Sequence, residues 1–427
     1  MREISLQWMK SGKWRWLKSL KEKSLRIFLK VSISEMMRFG KAARDICNTN
    51  VFEHGGKIYA ITENHSPYEI DPSTLNTLNK WSVNGAWDRP FTSHPKKVPS
   101  TGELVMMGCH IFKPYFLLGV ISADGKQMLH KVDLKFKSSA NIIHDVGVTK
   151  NYNIILDYPQ KFGIERPILG KRFIEFDQNA KSRIGVMPRF GDEESILWFN
   201  VKNHCTYHLI NCFEDEDKVI VRGCKLLDTI ITTPDDKIER SEWYRRAYIQ
   251  HDESSQDYDP SKDGVLISRP YEWRLNLKTH GVEEGYLIEN GVAMDFPVIN
   301  NRFTGIKNKY SYTQVADSIA SSTIGMFKYK MFAKLYFDEH DKENNGNIKV
   351  EYHVMEDNHF CSGIEFVKKQ DAIDEDDGWV VCYVHDENKN QSKVHIIDAK
   401  NFSKEPVAKL KLPQRVPYGY HGIYLYK

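Results

Sequence analysis

The chain has 427 residues, of which 41% are hydrophobic and 12% aromatic, and its formal net charge is only +3. This length allows two or three domains or one large repeat architecture. The small charge gives no reason to expect a nucleic-acid partner. The sequence contains no apolar run of about 18 residues, so a membrane-spanning helix is not expected. Seven cysteines without a C-x-x-C pair favour a reducing compartment over a disulfide framework or a thiolate zinc site.

Residues 1–46 are predicted to form a basic amphipathic helical segment, because apolar side chains recur at helical spacing between lysines and arginines. The apolar face contains Leu17, Leu20, Ile27, Phe28 and Val31. Two interpretations fit equally well: a helix that lies on a membrane surface, and a packed N-terminal helix without that role. The composition also allows an organelle transit peptide, whereas the short apolar core and cleavage site of a secretory signal are missing.

Residues 47–427 read as a long series of short strands separated by Gly, Pro, Asn and Asp turns. Strands are predicted in "GKIYAITENHSPYEID", "DKVIVRGCKLL", "NIKVEYHVME", "GWVVCYVHDENKNQSKVHIIDA" and "YGYHGIYLYK". Residues 379–384 and 393–397 should form a hairpin, while "DSIASSTIGMFKYKMF" fits either a helix or a strand. So many strands exceed one sandwich, and an all-β propeller with about 40–50 residues per blade fits better.

Four histidines lie in contexts that could bring them together: His94, His144, His208 and His421. In a propeller the inner strand of each blade faces the central axis, so one imidazole from each of several blades could converge on a metal ion. His204 and His208 lie four positions apart in strand-like sequence, about 13 Å along a strand, so one ion cannot bind both. Each histidine also has a simpler interpretation as a turn residue or a hydrogen-bonded core residue.

The segments "TSHPKKVPSTGEL", "HDVGVT", "YHLINCFEDED", "DFPVINNRFTG" and "RVPYGYHG" resemble, in this order, motifs of the carotenoid cleavage dioxygenase family. "MDFPVIN", "YTQVADSIASS" and "AKLYFDE" look most like its plant branch, which includes the 9,10(9′,10′)-cleaving enzymes. The resemblance covers roughly residues 47–427. It implies a seven-bladed β-propeller with one ferrous ion per chain on its axis.

Carried over motif by motif, the resemblance makes His94, His144, His208 and His421 the iron ligands and selects His208 over His204. It also makes Glu63, in "ITEN", and Asp295, in "DFPVIN", acceptors for the outer N–H of ligand imidazoles. Such acceptors fix the tautomer and the aim of a ligand histidine.

The sequence departs from the family pattern in two places. Where the family often has S-E-x-x-F/Y-V, this chain reads "CSGIEFV", so Gly363 replaces the acid and Glu365, two residues later on the same strand face, is the candidate substitute. Residues 1–46 contain no F-D-G-D-G stretch, so we expect either a ring that closes differently or a shortened chain.

The expected function is therefore an iron(II)-dependent dioxygenase that cleaves a C=C bond of a carotenoid or apocarotenoid with O2 to give two carbonyl products. The basic N-terminal segment would contact a membrane surface. The alternative is a non-catalytic propeller that binds apolar apocarotenoids or acts as a scaffold or decoy. The expected location is cytoplasmic, with the plastid as the alternative.

Overall fold

Strands dominate the fold because runs rich in β-branched and aromatic residues are separated by short turns that contain Gly, Asn or Asp. The structure, a computed structural model, describes residues 47–425 except 64, 90, 110–115, 135–142, 163–173, 178, 228–237, 249–256, 260–261, 290–291, 325–326 and 342–345. The helical segment predicted over residues 1–46 lies outside this part of the chain, so that prediction stands as it was made.

The described strands form six antiparallel units of four strands, which follow one another along the chain. The first unit contains β1 to β4, with bounds Asn50–His54, Lys57–Ile61, Tyr68–Ile70 and Thr77–Lys80. The second contains β5 to β8, with bounds Lys96–Lys97, Leu104–Cys109, Phe116–Ile121 and Met128–Leu134.

The third and fourth units continue this pattern, with one insertion. The third pairs β9, β10, β13 and β14, with bounds Gly147–Val148, Tyr152–Asp157, Ser182–Pro188 and Leu197–Val201. A separate hairpin of β11 and β12, Gln160–Phe162 and Ile174–Phe176, is inserted between β10 and β13. The fourth contains β15 to β18, with bounds Cys205–Asp215, Lys218–Leu226, Arg269–Asn276 and Val282–Tyr286.

The last two units are joined by a single pairing between Tyr329 and Cys361. The fifth contains β19 to β22, with bounds Met294–Val298, Tyr310–Ala316, Tyr329–His340 and Ile348–Val354. The sixth contains β23 to β26, with bounds His359–Lys368, Gly378–Asp386, Gln391–Asp398 and Ala408–Lys411. The predicted hairpin over 379–384 and 393–397 is confirmed, because β24 and β25 pair antiparallel across it.

Helices are short and connect strands. The described α-helices are α1, Arg240–Tyr248, and α2, Ser318–Ile324, and these two helices pack against each other. Three 3-10 turns cover Glu193–Ser195, Asn301–Phe303 and Ala399–Asn401. The ambiguous segment "DSIASSTIGMFKYKMF" contains both predicted elements, since α2 is followed by the start of β21. Within the described residues, no helix has the length and apolar character needed to cross a bilayer.

The hydrophobic core lies between neighbouring units. Ile61 of the first unit shares a cluster with Leu117 of the second, and Leu156 of the third shares one with the fully buried Trp273 of the fourth. Burying each side chain of this size contributes about 1.5–3 kcal/mol. The units therefore stack face to face in chain order, as the blades of a propeller do.

The innermost strands lie side by side around a common axis. Strand β5 contacts β9, β9 contacts β15, β15 contacts β19, and β19 contacts β23. This arrangement confirms the all-β propeller prediction. The described residues supply six four-stranded blades, and the seventh predicted blade is not formed within this part of the chain.

Candidate metal centre

The four histidines reach the axis from four separate segments. His94 precedes β5 and forms a parallel bridge with Asp145, which follows His144 just before β9. His208 lies within β15. His421 follows β26 and forms a parallel bridge with Ile364 of β23. The blade order thus brings together side chains that are far apart in sequence.

The four side chains meet at one point. One ring nitrogen from each of His94, His144, His208 and His421 lies within 4.8 Å of the corresponding atoms of the others. The Nε2 atom of His144 is 3.0 Å from that of His94 and 3.2 Å from that of His208. Metal–imidazole bonds of about 2.0–2.1 Å would place neighbouring donors on one ion about 3 Å apart, so these separations fit a single ion.

Two carboxylates set the proton positions on the imidazoles. The Nδ1 atom of His208 donates to Oδ1 of Asp295 at 2.7 Å, and Nδ1 of His144 lies 2.6 Å from Oε1 of Glu63. An ionised carboxylate only accepts hydrogen bonds, so each Nδ1 carries a proton and each Nε2 points inward, towards the other histidines. These inner nitrogens are the atoms that a cation on the axis would bind.

The charges around the site keep this pattern in place. Burial, followed by the neighbouring imidazoles, lowers the pKa of His94 and of His421 well below the usual 6.5, so both rings are neutral. Burial acts to raise the pKa of Glu63, but the adjacent His144 outweighs it and brings that pKa down to about 2. Glu63 is therefore an anion, and the donor set of neutral nitrogens suits a divalent transition metal.

Two further residues, Asn50 and Asp145, support the site. The amide nitrogen of Asn50 lies 3.4 Å from Nδ1 of His94 and donates to the carbonyl of Ser93 at 2.8 Å. The buried carboxylate of Asp145 pairs with Nζ of Lys96 at 3.0 Å and accepts from the backbone N–H of Leu209 at 2.9 Å. Sequence reasoning missed both residues: nothing around Asn50 signals its role, whereas Asp145 directly follows a candidate ligand.

His204 does not join the cluster. Its Nδ1 atom lies 2.9 Å from Oγ1 of Thr206, and its ring centroid lies 4.9 Å from that of Trp273. Burial lowers the pKa of His204 to about 3, so it is a neutral core residue. Of the pair separated by four residues, the structure brings only His208 to the axis.

The segment that carries His421 was predicted to be a strand, and that prediction is wrong. Apart from the bridge to Ile364, it forms no ladder among the described residues. Its glycines instead allow a close approach to β23: a Cβ atom on Gly422 would lie 2.7 Å from the carbonyl oxygen of Gly363. The side-chain amide of Gln314 also donates to the carbonyl of Tyr420 at 2.8 Å. The segment is thus held against the innermost strands without forming a strand of its own.

The expectation that Glu365 substitutes for an acid at Gly363 is also wrong. The Glu365 carboxylate accepts from the side-chain amide of Asn301 at 3.3 Å, and among the described residues it makes no contact with His421. The pairing of β23 with β24 shifts register between Ser362 and Glu365, so strand alternation does not place Glu365 on the face of Gly363. His421 consequently has no carboxylate partner in this part of the chain.

Glu365 instead lines a cavity of about 130 Å³, whose wall also contains Lys96, Asn211 and Cys212. Burial raises the pKa of Glu365 to about 8, so its carboxyl group is largely protonated at neutral pH. The wall residues belong to the innermost strands or to the turns next to them. Lys96 follows His94 by two residues, and Asn211 and Cys212 follow His208 by three and four.

Comparison with known proteins gives one family and a consistent fold. A family model described as retinal pigment epithelial membrane protein (RPE65) matches residues 7–426. The carotenoid 9,10(9′,10′)-cleavage dioxygenase 1 of Phaseolus vulgaris is 34% identical over 389 residues, 88% of this chain and 66% of the relative. The carotenoid 9,10(9′,10′)-cleavage dioxygenase of Crocus sativus is 31% identical over 389 residues, with the same coverage. The chain therefore spans just under two thirds of the length of these relatives.

Solved structures share the architecture. The lignostilbene dioxygenase of Pseudomonas brassicacearum superimposes with a TM-score of 0.72 at 21% identity, covering 88% of this chain and 75% of that one. Cobalt-substituted apocarotenoid oxygenase from Synechocystis also gives a TM-score of 0.72, at 20% identity, covering 90% of this chain and 75% of that one. At this identity the likeness establishes the fold alone.

Proposed function

Because this chain belongs to the RPE65 family, which includes the carotenoid cleavage dioxygenases, we propose that it is an iron(II)-dependent dioxygenase of carotenoids or apocarotenoids. The reaction would cleave one C=C bond with O2 and place one oxygen atom on each of two carbonyl products. His94, His144, His208 and His421 would hold one ferrous ion per chain.

One observation carries this proposal: the Nε2 atoms of His144 and His208 face each other at 3.2 Å inside the protein, beside ring nitrogens of His94 and His421. Glu63 keeps a proton on Nδ1 of His144, and Asp295 keeps one on Nδ1 of His208. Ring nitrogens that converge from four separate segments form a ready set of ligands for one cation.

The chain's own residues would hold and orient the reactants. A bound ferrous ion supplies the activation of dioxygen, which no side chain can perform. Glu63 and Asp295 aim two of the imidazoles, and neutral rings add no negative charge to the site. Phe296, Tyr420 and Tyr329 form a contiguous aromatic cluster beside His208 and His421, which makes the surroundings of these two histidines apolar.

The substrate class rests on the relatives, whose names state that they cleave carotenoids at the 9,10 and 9′,10′ bonds. To test this, the protein is purified without oxygen and its iron content per chain is measured. The protein is then incubated with a dicyclic carotenoid in detergent under ¹⁸O2. We expect close to one iron per chain and labelled aldehyde or ketone products.

Two variants sharpen this experiment. His144→Ala removes one ligand and should abolish both iron retention and product, whereas His395→Gln changes a buried histidine on β25, outside the cluster, and should abolish neither. Cleavage that survives His144→Ala would contradict the proposal.

A non-catalytic propeller that binds apocarotenoids, or acts as a scaffold, is the second candidate. It is favoured by one observation, the absence of a carboxylate partner for His421 among the described residues. Bound carotenoid without iron and without products would support it.

Membrane contact and location are proposals from the sequence alone. The basic residues of 1–46 would bind anionic membrane surfaces of the cytoplasm or, alternatively, of the plastid. Sedimentation with anionic liposomes should weaken when residues 1–46 are deleted, and equal sedimentation would contradict this role.

A further inference from the structure

Phe296 has a backbone conformation that its sequence does not favour. Its φ is +55°, in the left-handed region, and its side chain is buried at 7% exposure. A bulky residue with positive φ is a genuine outlier, and the following Pro297 favours an extended backbone at this position. Strain of this kind persists only where the surrounding structure imposes it, and it is frequent at functional sites.

The unusual backbone bends β19 beside the metal centre. Asp295 pairs with Gln314, but the next pair is Val298 with Tyr312, so residues 296–297 oppose the single residue Thr313. This bulge turns the N–H of Phe296 onto Oδ1 of Asp295 at 2.7 Å. The same oxygen accepts from Nδ1 of His208, also at 2.7 Å. The conformation of Phe296 thus helps to hold the carboxylate that orients His208.

The ring of Phe296 contacts two of the candidate ligands. Its centroid lies 4.5 Å from that of His208 and 5.2 Å from that of His421. On its other sides it stacks on Tyr420, with centroids 5.0 Å apart and planes 13° apart, and it meets Tyr329 edge-on at 5.6 Å. His208 and His421 come from different segments, so this one ring restrains both.

We propose that Phe296 is a positioning residue for the metal centre: its strained backbone holds Asp295, and its ring keeps the imidazoles of His208 and His421 in their binding orientation. This inference rests on the proposed metal site. It assigns a role to a side chain that donates no atom to the metal.

The test measures the metal site directly and does not depend on turnover. The protein is loaded with Co²⁺, and its visible absorption spectrum and the rate of Co²⁺ transfer to a chelator are recorded. Phe296→Ala should change the spectrum and speed the transfer about ten-fold or more, because losing support behind a ligand typically lowers metal affinity by 10–100-fold. Phe296→Tyr keeps the ring and should restore both readouts.

The matched control is Phe402→Ala. Phe402 is also buried, but its ring contacts Tyr312 and His353, away from the four histidines of the metal centre. This variant should lower the melting temperature while leaving the spectrum and the transfer rate unchanged. If Phe296→Ala does not fold, Phe296→Leu, which keeps much of the apolar volume without the ring, is measured in the same way.

A comparison of Phe296→Gly with Phe296→Ala tests the backbone half of the inference. Glycine adopts positive φ without strain, so the glycine variant should melt at a higher temperature than the alanine variant, the reverse of the usual order within a strand. A glycine variant that melts lower overturns the role of the strained backbone.

The outcomes separate this inference from the proposed metal site. If the Phe296 variants keep the wild-type spectrum and transfer rate, the inference alone is overturned. If the wild-type protein binds no Co²⁺, the metal site is overturned as well.

Discussion

At the scale of single residues, proton placement decides what the site can bind. The carboxylates of Glu63 and Asp295 hold the protons of His144 and His208 on the outer nitrogens, which leaves the inner nitrogens free to bind a cation. Neither carboxylate is recognisable from composition or spacing, since a lone acidic residue is usually solvated; both were found only through motif resemblance. Asn50 carried no signal at all, because its contact with His94 exists only once β1 packs beside the segment before β5.

Replacing Asp295 by Asn should weaken the metal site without abolishing it. The amide keeps the shape but can accept a weaker hydrogen bond from His208, and losses of this kind lower metal affinity about 10–100-fold. Competition between the protein and a chromophoric chelator measures the change. Asp317→Asn, a change of the same type at a residue beside α2, is the control, and equal affinity in all three proteins would exclude the assigned role.

Glu365 should make stability depend on pH. Its carboxyl group has a pKa of about 8 in the folded protein, against an ordinary 4.5, so the folded state binds the proton more tightly than the unfolded state. The stabilisation that this group contributes is therefore fully present below pH 4.5. As the pH rises from there towards 8, the free energy of unfolding falls by about 1.4 kcal/mol per pH unit.

Urea unfolding of wild type and Glu365→Gln between pH 5 and 8 measures this slope, which should be smaller in the variant. Glu339→Gln, at the exposed end of β21, should leave the slope unchanged. Identical slopes in wild type and Glu365→Gln would show that the carboxyl group is not held in its protonated form.

At the scale of elements, the C-terminal segment shows where pattern reasoning stops. Its alternating aromatic residues predicted a strand, but Gly419 and Gly422 lie beside His421, and the segment forms one bridge instead of a ladder. The Glu365 prediction failed for a related reason, because a register shift in β23 breaks the alternation that the prediction assumed. The hairpin of β24 and β25 was predictable since regular alternation and a polar loop determine it locally.

Gly422→Ala should displace His421. A Cβ atom at this position would lie 2.7 Å from a backbone oxygen of Gly363, so the segment must move, at a cost of about 1–3 kcal/mol for overpacking. We expect a lower melting temperature and at least ten-fold weaker metal binding. Gly419→Ala, where nothing lies within 4 Å, should bind metal like the wild type, and equal binding by Gly422→Ala would contradict the close-approach argument.

At the scale of the whole molecule, the propeller brings four distant segments to one axis. The repeated strands made this architecture predictable. The convergence of the four histidines was not predictable from the strands alone, because each histidine could equally have been a turn residue. The structure resolves this by placing the segments before β5 and β9, strand β15 and the chain end around the same point.

Metal should therefore stabilise the fold as a unit. A ligand that binds only the folded state adds about 2.7 kcal/mol when its concentration is 100 times its Kd. In the absence of oxygen, ferrous ion should raise the melting temperature, and a chelator should lower it again. His144→Ala should show no shift, and an equal shift in that variant would place the binding elsewhere.

The central claim is that four imidazoles bind one ion, and X-ray absorption at the iron edge of the anaerobic, iron-loaded protein tests it most directly. We predict an imidazole scattering pattern that fits four rings in the wild type and three in His421→Ala. A wild-type spectrum with fewer than four imidazoles, or one that does not change in His421→Ala, would contradict the claim.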